Sequence, residues 1–384
     1  MKILIVRMYA DFLNIKNYNC QEIGLAKALI RKGNVCDIVL YTESKFYEDD
    51  IIFDESKKIH IYYLPAKRIL KNAFFDLKLY DITSNYDIIQ TAEYDQIGNV
   101  KLRRKVNNHM VIYHGPYLSE YTKGYSKKCI ISDLYYLFNP KYKNTLCISK
   151  SNLATELLNT KGFKNVTTVG VGLDAERFQK YIESSEKIKE LIKIKQVNKL
   201  KFLLYIGKIE DRRNIMFLFD ILKNVSEKDK NIRLILVGKG NKDYVNKCFE
   251  YAKEKNIFDK IIYIESMPQQ ELPTLYKCCD IFLLPTQYEI FGMVLLEAMY
   301  FGLPPVTTLN GGSSTLINHL ENGFICDLND INSWTNVILE LLYNENKRME
   351  ISQKASQKIK ECFMWEKLAD KFIDVYNKVL NSES

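Results

Sequence analysis

The chain has 384 residues, which is more than one ordinary hydrophobic core supports and fits two domains. Hydrophobic residues make up 47% and charged residues 27%, as in soluble globular proteins, and every apolar run is shorter than the roughly 18 residues of a membrane span. The net charge of +8 lies entirely in residues 1–170, which hold 25 of the 55 basic residues and 17 of the 47 acidic ones.

The N-terminal part of the chain predicts alternating strands and helices. Residues 2–6 form an apolar run directly after Met1 that is too short for a signal-peptide core, so we expect a first strand and a cytoplasmic protein. A helix over residues 21–32 and a strand over 36–41 complete a βαβ unit, which predicts a parallel sheet. Further strands are predicted at 59–64, 87–90, 111–113 and 166–169.

Polar residues follow these strands at the sheet edge where parallel sheets bind their ligands. His114 comes directly after the strand at 111–113, and it either satisfies a backbone group or contacts a ligand at the edge of a cleft. The other three histidines and the nine cysteines show no metal-ligand spacing, so we expect reduced, packed thiols and no metal held by the protein. The acidic run from Glu48 to Asp50 is predicted to lie in a loop.

Basic runs account for the charge excess of the first half. Such runs usually form solvated faces, and the alternatives are an anionic membrane surface or nucleic acid. Aromatic and apolar residues interleave the runs, which favours a membrane surface, and the sequence contains no nucleic-acid-binding motif. The runs are Lys57-Lys58, Lys67-Arg68-Lys71, Lys101-Arg103-Arg104-Lys105 and Lys123-Lys127-Lys128.

A Lys- and Glu-rich segment at residues 179–199 indicates a domain boundary, with one domain over 1–175 and a second over 176–362. The second domain repeats the pattern, with strands predicted at 202–206 and 232–237. Lys208, Arg213 and Lys239 follow the ends of these two strands, so they should face one cleft. A basic cleft that also contains glycines, here Gly207 and Gly238, suits a diphosphate.

The most informative stretch is residues 280–299, which predicts a strand at 281–284, a polar loop, and a helix that begins near Met293. Helix N-termini bind anions, so the backbone N–H groups of Phe291, Gly292 and Met293 could meet a phosphate. Glu297 lies among apolar neighbours, where an unpaired carboxylate is costly. It therefore either pairs with a nearby basic group or binds a ligand.

The last part of the chain predicts a strand at 305–308, the glycine pair Gly311 and Gly312, and three helices near 330–342, 346–361 and 365–381. Trp365 and Tyr376 are expected to be packing residues of the final helix.

Together these residues resemble the retaining glycosyltransferases of family 4, and the resemblance covers nearly the whole chain. Its most specific element is a pair of glutamates with seven residues between them, Glu289 and Glu297. The family has the GT-B fold, in which two Rossmann-like domains with parallel sheets face each other and the C-terminal helix, here 363–384, packs back toward the first domain. Supporting matches are Gly207-Lys208 with Arg213, Val237-Gly238-x-Gly240, Val171-Gly172-Leu173-Asp174, Gly311-Gly312 and Phe363-x-Trp365.

The resemblance implies roles for individual residues. Glu289 would contact the hydroxyl groups of the donor sugar, and Glu297 would contact the nucleotide ribose. Lys208 and Arg213 would neutralise the diphosphate, and His114 would lie beside the sugar and acceptor. The implied catalytic residues are Glu289, His114, Lys208 and Arg213. The implied donor-binding residues are Gly207, Lys208, Arg213, Gly238, Glu289, Phe291, Gly292, Met293, Glu297, Gly311 and Gly312.

The sequence also departs from the family pattern. The family usually has Arg at the position of Lys208 and Lys at the position of Arg213. The positive charge is kept at both positions, but the forked guanidinium group is not in its usual place. Ser313, Ser314 and Thr315 stand where the family commonly has a Glu, and residues 17–20 replace the usual glycine pair of the first loop.

From the resemblance we expect a retaining glycosyltransferase of the hexosyltransferase type that uses a nucleotide-diphosphate sugar, most simply a UDP-sugar, and needs no metal or other cofactor. The acceptor would be a hydroxyl group of a lipid-linked glycan or growing surface polysaccharide. The basic first domain would then bind an anionic membrane surface, at the inner face of the plasma membrane. The alternatives are a non-catalytic sugar-nucleotide-binding partner of another transferase and a sugar-nucleotide epimerase of the same architecture.

Overall fold

The computed structural model describes residues 1–13, 15, 20–69, 72–106, 109–178 and 185–381. Expectations for residues 17–19, for Lys71 and for residues 179–184 fall outside the described residues. The chain divides into two compact units. The first unit comprises Met1–Asp174 with Phe363–Ser384, and the second comprises Ala175–Cys362.

The first unit is built on a nine-stranded sheet, as far as the described residues show, with the order β3-β4-β2-β1-β6-β7-β8-β9 and with β5 paired to β4. The strands from β4 through β9 in this order pair in parallel, and the apolar residues of β1 and β7 are buried. The strands are β1 (Lys2–Val6), β2 (Val35–Thr42), β3 (Tyr47–Phe53), β4 (Lys57–Ile69), β5 (Asn72–Phe75), β6 (Ile88–Ala92), β7 (Met110–His114), β8 (Leu146–Ser149) and β9 (Val166–Thr168).

Two antiparallel strands extend the predicted parallel sheet of the first unit. Both β3 and β5 pair antiparallel with β4, which is longer than the predicted strand at 59–64. The acidic run from Glu48 to Asp50 therefore lies in a strand, and its assignment to a loop was wrong. Cross-strand pairing explains the difference, because Asp50 forms an ion pair with Lys58 at 2.9 Å and lies 2.7 Å from Nδ1 of His60 on β4.

Helices cover the first sheet, and the last helix of the chain is one of them. Apolar residues of α14 recur every three or four positions and are buried against the first unit, where the Tyr376 hydroxyl donates to Gln90 at 2.6 Å. The expected return of the C-terminal helix to the first domain is confirmed. The helices are α1 (Gln21–Arg31), α2 (Leu77–Thr83), α3 (Gly98–Val106), α4 (Lys123–Leu137), α5 (Asn152–Thr160) and α14 (Trp365–Asn381).

Trp365 holds this helix in place. Its indole lies against the backbone of Gly24 on α1 and of Gly172, where an added Cβ would come within 2.2 and 2.3 Å of the ring. Glycine is required at both positions because the ring occupies the space of a side chain. Trp365 is 2% exposed, in agreement with the expected packing role.

The second unit has a parallel six-stranded sheet of order β12-β11-β10-β13-β14-β15. The chain moves from β10 toward β12 and then crosses to β13 on the other side, so the strand order reverses between β10 and β13. Open α/β sheets bind ligands at such a switch point, beyond the carboxyl ends of the strands. The strands are β10 (Lys201–Ile206), β11 (Ile232–Val237), β12 (Ile261–Ile264), β13 (Ile281–Leu284), β14 (Pro305–Thr307) and β15 (Phe324–Ile325).

The helices of the second unit are α6 (Glu186–Val197), α7 (Ile215–Lys228), α8 (Lys242–Glu254), α9 (Leu272–Cys278), α10 (Met293–Tyr300), α11 (Ser313–Leu316), α12 (Ile331–Tyr343) and α13 (Glu345–Cys362). Among the described helices of both units, none combines the length and the apolar character that a bilayer crossing requires. The nine cysteines are free thiols, as expected.

Candidate functional site

The carboxyl ends of β10 and β11 bring two lysines to one edge of the second sheet. The pairing of the two strands continues beyond their ends, since Gly207 N–H donates to Val237 at 3.0 Å and Ile209 N–H to Lys239 at 2.8 Å. Gly238 N–H donates in turn to Ile264. Lys208 and Lys239 are both exposed, and Lys208 forms no ion pair with any residue that the structure describes. An uncompensated cation at a switch point is suited to bind an anion.

The loop after β13 packs directly on the glycine pair after β14. The N–H of Gly311 donates to the carbonyl of Glu289 at 2.9 Å. A Cβ on Gly311 would come within 1.9 Å of the Ile290 carbonyl oxygen, and one on Gly312 within 1.7 Å of the Phe291 oxygen. The two glycines are therefore required so that the loop can lie against their backbone.

This packing fixes the start of α10. Gly292 is the N-cap residue with φ +76°, and the first helical residue is Met293, as predicted. Among the described residues, the backbone N–H groups of Phe291, Gly292 and Met293 donate no hydrogen bond, while the next turn closes through Leu295 N–H to Gly292 O at 2.9 Å. Three free donors thus coincide with the positive end of the helix dipole, beside the switch point.

Two predicted site residues pair with each other. The Arg213 guanidinium forms a very short contact with the Glu289 carboxylate, and its Nε lies 3.8 Å from Glu210. The side chains of Arg213 and Glu289 are only 12% and 14% exposed. The charge of Arg213 is thus largely compensated within the second unit, which leaves Lys208 as the more available cation.

Glu297 is 1% exposed on α10 and accepts a hydrogen bond from the Tyr276 hydroxyl at 3.0 Å. Tyr276 is itself buried and stacks on Phe301, with ring centroids 5.3 Å apart. Burial, followed by the charge of Glu297, raises the pKa of Tyr276 well above its usual value, so its hydroxyl stays protonated as a donor. The buried carboxylate therefore has a protonated tyrosine as one partner, and its expected contact with a ligand stays a prediction.

The residues that replace the expected Glu after Gly312 bond to their own loop. Ser313 is fully buried, and its Oγ donates to Thr308 O at 2.8 Å and accepts from Asn310 N–H at 2.8 Å. Ser314 Oγ donates to Gly311 O at 2.8 Å. These hydroxyl groups stabilise the glycine turn.

In the first unit, His114 ends β7 and is completely buried with Glu93, which is 3% exposed. Glu93 Oε2 lies 2.6 Å from His114 Nδ1 and accepts the Gly115 N–H at 2.8 Å, while Oε1 lies 3.5 Å from Lys150 Nζ. Burial alone would raise the pKa of Glu93, but Lys150, His114 and the Gly115 N–H outweigh it and lower the pKa to about 2. Glu93 is therefore ionised at neutral pH.

Glu93, Asp95 and His114 each offer one ligand atom within 4.8 Å of the others, a group that could hold a metal ion. Each carboxylate already has an ammonium partner, Lys150 beside Glu93 and Lys128 in very short contact with Asp95. The absence of a protein-held metal stays a prediction.

Sequence reasoning found His114 but missed Glu93 and its neighbours. The strand at 87–90 was predicted two residues too short at its carboxyl end, since β6 runs to Ala92. With the observed end, Glu93 would have been the residue directly after a buried strand, next to the edge that holds His114. Glu93 and His114 lie 21 positions apart, so no local sequence motif connects them.

Comparison with known proteins gives a family match for the second unit and the fold of the chain. Residues 185–358, nearly the whole second unit, match the family model of glycosyl transferases group 1. The structure is similar to sucrose-phosphate synthase from Thermosynechococcus elongatus, with a TM-score of 0.75, 16% identity and 100% of both chains covered. It is equally similar to HepE from Anabaena in complex with UDP, with a TM-score of 0.75, 16% identity, and 98% of this chain and 100% of HepE covered.

Curated relatives share less of the chain. Mannosylfructose-phosphate synthase from Agrobacterium fabrum is 25% identical over 216 residues, 55% of this chain and 47% of the relative. The UDP-Gal:α-D-GlcNAc-diphosphoundecaprenol α-1,3-galactosyltransferase from Escherichia coli is 24% identical over 213 residues, 55% of this chain and 54% of the relative. The chain spans about half the length of the curated relatives it matches. Residues 185–358 thus match the glycosyl transferases of group 1, and the fold of the chain is GT-B.

Proposed function

We propose that the protein is a retaining glycosyltransferase that transfers a hexose from a UDP-sugar to a hydroxyl group of a lipid-linked or growing surface glycan. The observation that carries this proposal is the anion site of the second unit, where the free N–H groups at the start of α10 and the exposed Lys208 share one sheet edge. A UDP donor is supported by HepE, whose structure contains UDP, and by the relative that uses UDP-Gal.

The geometry suits a diphosphate leaving group. Breaking the bond between sugar and diphosphate places negative charge on the departing oxygen, and fixed donors stabilise that charge more as it grows. The N–H groups of Phe291, Gly292 and Met293 are held by the glycine pair, so they need no reorganisation during the reaction. Lys208 supplies a mobile positive charge. Glu289 is assigned to the sugar hydroxyls, with Arg213 holding its carboxylate in place. The proposed chemistry uses no metal or other cofactor.

The first unit presents a surface suited to a membrane-bound acceptor. Helix α4 and its C-terminal neighbour leave Ile131, Leu134 and Phe138 exposed by 55%, 57% and 84%, together with Ile130 and Leu137. We call these five residues the α4 apolar stripe. Lys127 and Lys141 are exposed at its two ends. An apolar stripe flanked by lysines fits an anionic bilayer surface, and we propose that the protein binds the inner face of the plasma membrane there.

Turnover of a panel of UDP-, GDP- and ADP-sugars tests the transferase proposal. We expect nucleotide release with a UDP-sugar in the presence of undecaprenol-linked or related glycan acceptors, and NMR of the product should show a retained anomeric configuration. Lys208→Ala should lower kcat/KM about 10- to 100-fold, since it removes one cation from the departing diphosphate. UDP binding without turnover of any donor would favour a non-catalytic sugar-nucleotide-binding partner.

Lys228→Ala is the matched control. Lys228 is also exposed, but it ends α7, which begins after the carboxyl end of β10 and returns toward the opposite sheet edge. Its kcat/KM should equal that of the unaltered protein. An equal loss in both lysine variants would contradict a specific role of Lys208.

A further inference from the structure

The backbone of Glu93 has an unusual conformation. Its φ is +52°, in the left-handed region that residues with a Cβ rarely adopt. The side chain of Asn99 holds it there by donating to the carbonyls of Ala92 at 3.1 Å and Glu93 at 2.8 Å. Asn99 is fully buried, so these bonds do not compete with water. Such conformations persist where the surrounding structure enforces them, and they concentrate at functional sites.

The enforced conformation directs the Glu93 carboxylate to the end of β7. There Oε2 lies 2.6 Å from Nδ1 of His114, while Gly115 N–H and Lys150 bind the same carboxylate. Nδ1 makes no well-aligned hydrogen bond, so its close contact with Oε2 is a bent one. Tyr9 also interacts with this carboxylate, which therefore has little freedom to move.

The contact selects one tautomer of His114. An anionic oxygen 2.6 Å from an unprotonated nitrogen would set two lone pairs against each other, so Nδ1 carries the proton. Nε2 is then the nitrogen with the free lone pair. This atom is buried and has no hydrogen-bond partner among the described residues. The ring is held further by the edge of Tyr94, whose centroid lies 5.2 Å away.

We propose that Glu93 is a positioning residue, which fixes His114 in the Nδ1-protonated tautomer so that Nε2 accepts a hydrogen bond from a substrate hydroxyl group. This inference rests on the proposed transferase function for the identity of the hydroxyl compound. It assigns a function to a residue outside the motifs that mark the family. Glu93 itself touches no substrate in this proposal, and it acts through the histidine.

The same side chains could instead bind a divalent cation through Glu93, Asp95 and His114. The two lysines argue against this alternative. Lys150 lies 3.5 Å from Glu93, and Lys128 contacts Asp95. A metal ion at this position would have to displace these two ammonium groups or bind against their electrostatic repulsion. The positions that a cation would neutralise are already neutralised by the protein.

Imidazole ¹⁵N NMR of the full chain tests the tautomer directly, with His114 assigned by the loss of its signals in His114→Gln. We expect the shift pattern of a ring with a proton on Nδ1 and a free lone pair on Nε2. In Glu93→Gln the pattern should move toward the other tautomer, because the amide can donate to Nδ1. Asp37→Asn is the matched control, since Asp37 is a half-buried carboxylate of the same unit that accepts from Tyr86 at 2.6 Å and should leave His114 unchanged.

An Nε2-protonated His114 in the unaltered protein would overturn the proposal, whether or not any variant folds. With an active donor and acceptor pair, Glu93→Gln should lower kcat about 10-fold or more with little change in the donor KM. An unchanged kcat would also overturn it. A stoichiometric metal ion in the purified protein, lost in Asp95→Asn, would show the cation site instead. If no donor is turned over, the transferase proposal fails, while the NMR measurement still tests the positioning role.

Discussion

At the scale of single residues, the structure changes what each charged group can do. Arg213 and Glu289 were expected to contact different parts of the donor, yet they contact each other. The side chains of a close pair constrain each other, so a change at Glu289 also frees the Arg213 guanidinium beside the start of α10. The sequence suggested separate roles for Arg213 and Glu289, but in the fold a change in one of them affects the other.

Glu297 gives the first prediction at this scale. We expect Glu297→Gln to weaken UDP binding about 10-fold with an unchanged Tm. The amide keeps the hydrogen bond from Tyr276 but would lose the charge-assisted bonds that Glu297 is predicted to make to the ribose hydroxyls. Glu289→Gln should weaken UDP binding less than about 3-fold, because the freed Arg213 gains access to the diphosphate. Isothermal titration with UDP and thermal unfolding measure both quantities.

Two results would contradict this division of roles. Equal losses of UDP affinity in the two variants would show that both carboxylates contact the nucleotide, or that neither does. A lower Tm for Glu297→Gln with unchanged UDP affinity would show that Glu297 only stabilises the fold through Tyr276.

At the scale of secondary-structure elements, the strand–loop–helix unit around Gly292 was predictable from the sequence, and the antiparallel edge was not. The first follows from local signals, a short apolar strand, a loop glycine and a helix start. The acidic run forms β3 because it pairs with β4. The local sequence of the run does not indicate this pairing. The sequence showed that Ser313 stands near the position of the usual Glu, but not that it is a buried turn residue. Its hydroxyl bonds to the backbone of Asn310 and Thr308, which only the folded loop brings close.

The α4 apolar stripe carries the prediction at this scale. Leu134→Glu should reduce sedimentation with anionic vesicles about 10-fold, since a charge replaces an apolar side chain at the proposed bilayer contact. Binding to neutral vesicles should be weaker than to anionic ones for the unaltered protein, and the difference should shrink with added salt.

Val197→Glu is the control for this measurement. Val197 is 71% exposed on α6 in the second unit, so its change adds the same charge at an exposed apolar position outside the stripe. A similar loss of vesicle binding in both variants would point to net charge alone and would argue against the stripe.

At the scale of the whole molecule, the fold class was predictable because the βαβ pattern recurs in both halves and the glutamate pair marks one family. What the sequence could not show is how Trp365 joins distant parts of the chain. Its ring occupies the space over Gly24 and Gly172, and Leu173 N–H donates to Phe363 at 2.8 Å. These contacts link residues near the start, middle and end of the chain in one core.

Gly172→Ala tests this junction. The new methyl group would overlap the Trp365 ring, so we expect a loss of about 1–3 kcal/mol in the free energy of unfolding of the first unit. Gly124→Ala is the control, because Gly124 lies on α4 with open space around a Cβ and should be neutral or slightly stabilising. Urea unfolding followed by Trp365 fluorescence, with Trp334 replaced by Phe, reports on this unit. Equal stabilities of the two variants would contradict the packing argument.

The two-segment composition of the first unit has a consequence for synthesis on the ribosome. Residues 1–174 emerge first, yet their partner helix α14 is made only after the whole second unit. At about 5–20 residues per second, the nascent chain waits roughly 10–40 s with the Trp365-binding surface of α1 uncovered. We expect the second unit, which is contiguous, to finish folding before the first, and the waiting N-terminal segment to be a client for chaperones at the exit tunnel.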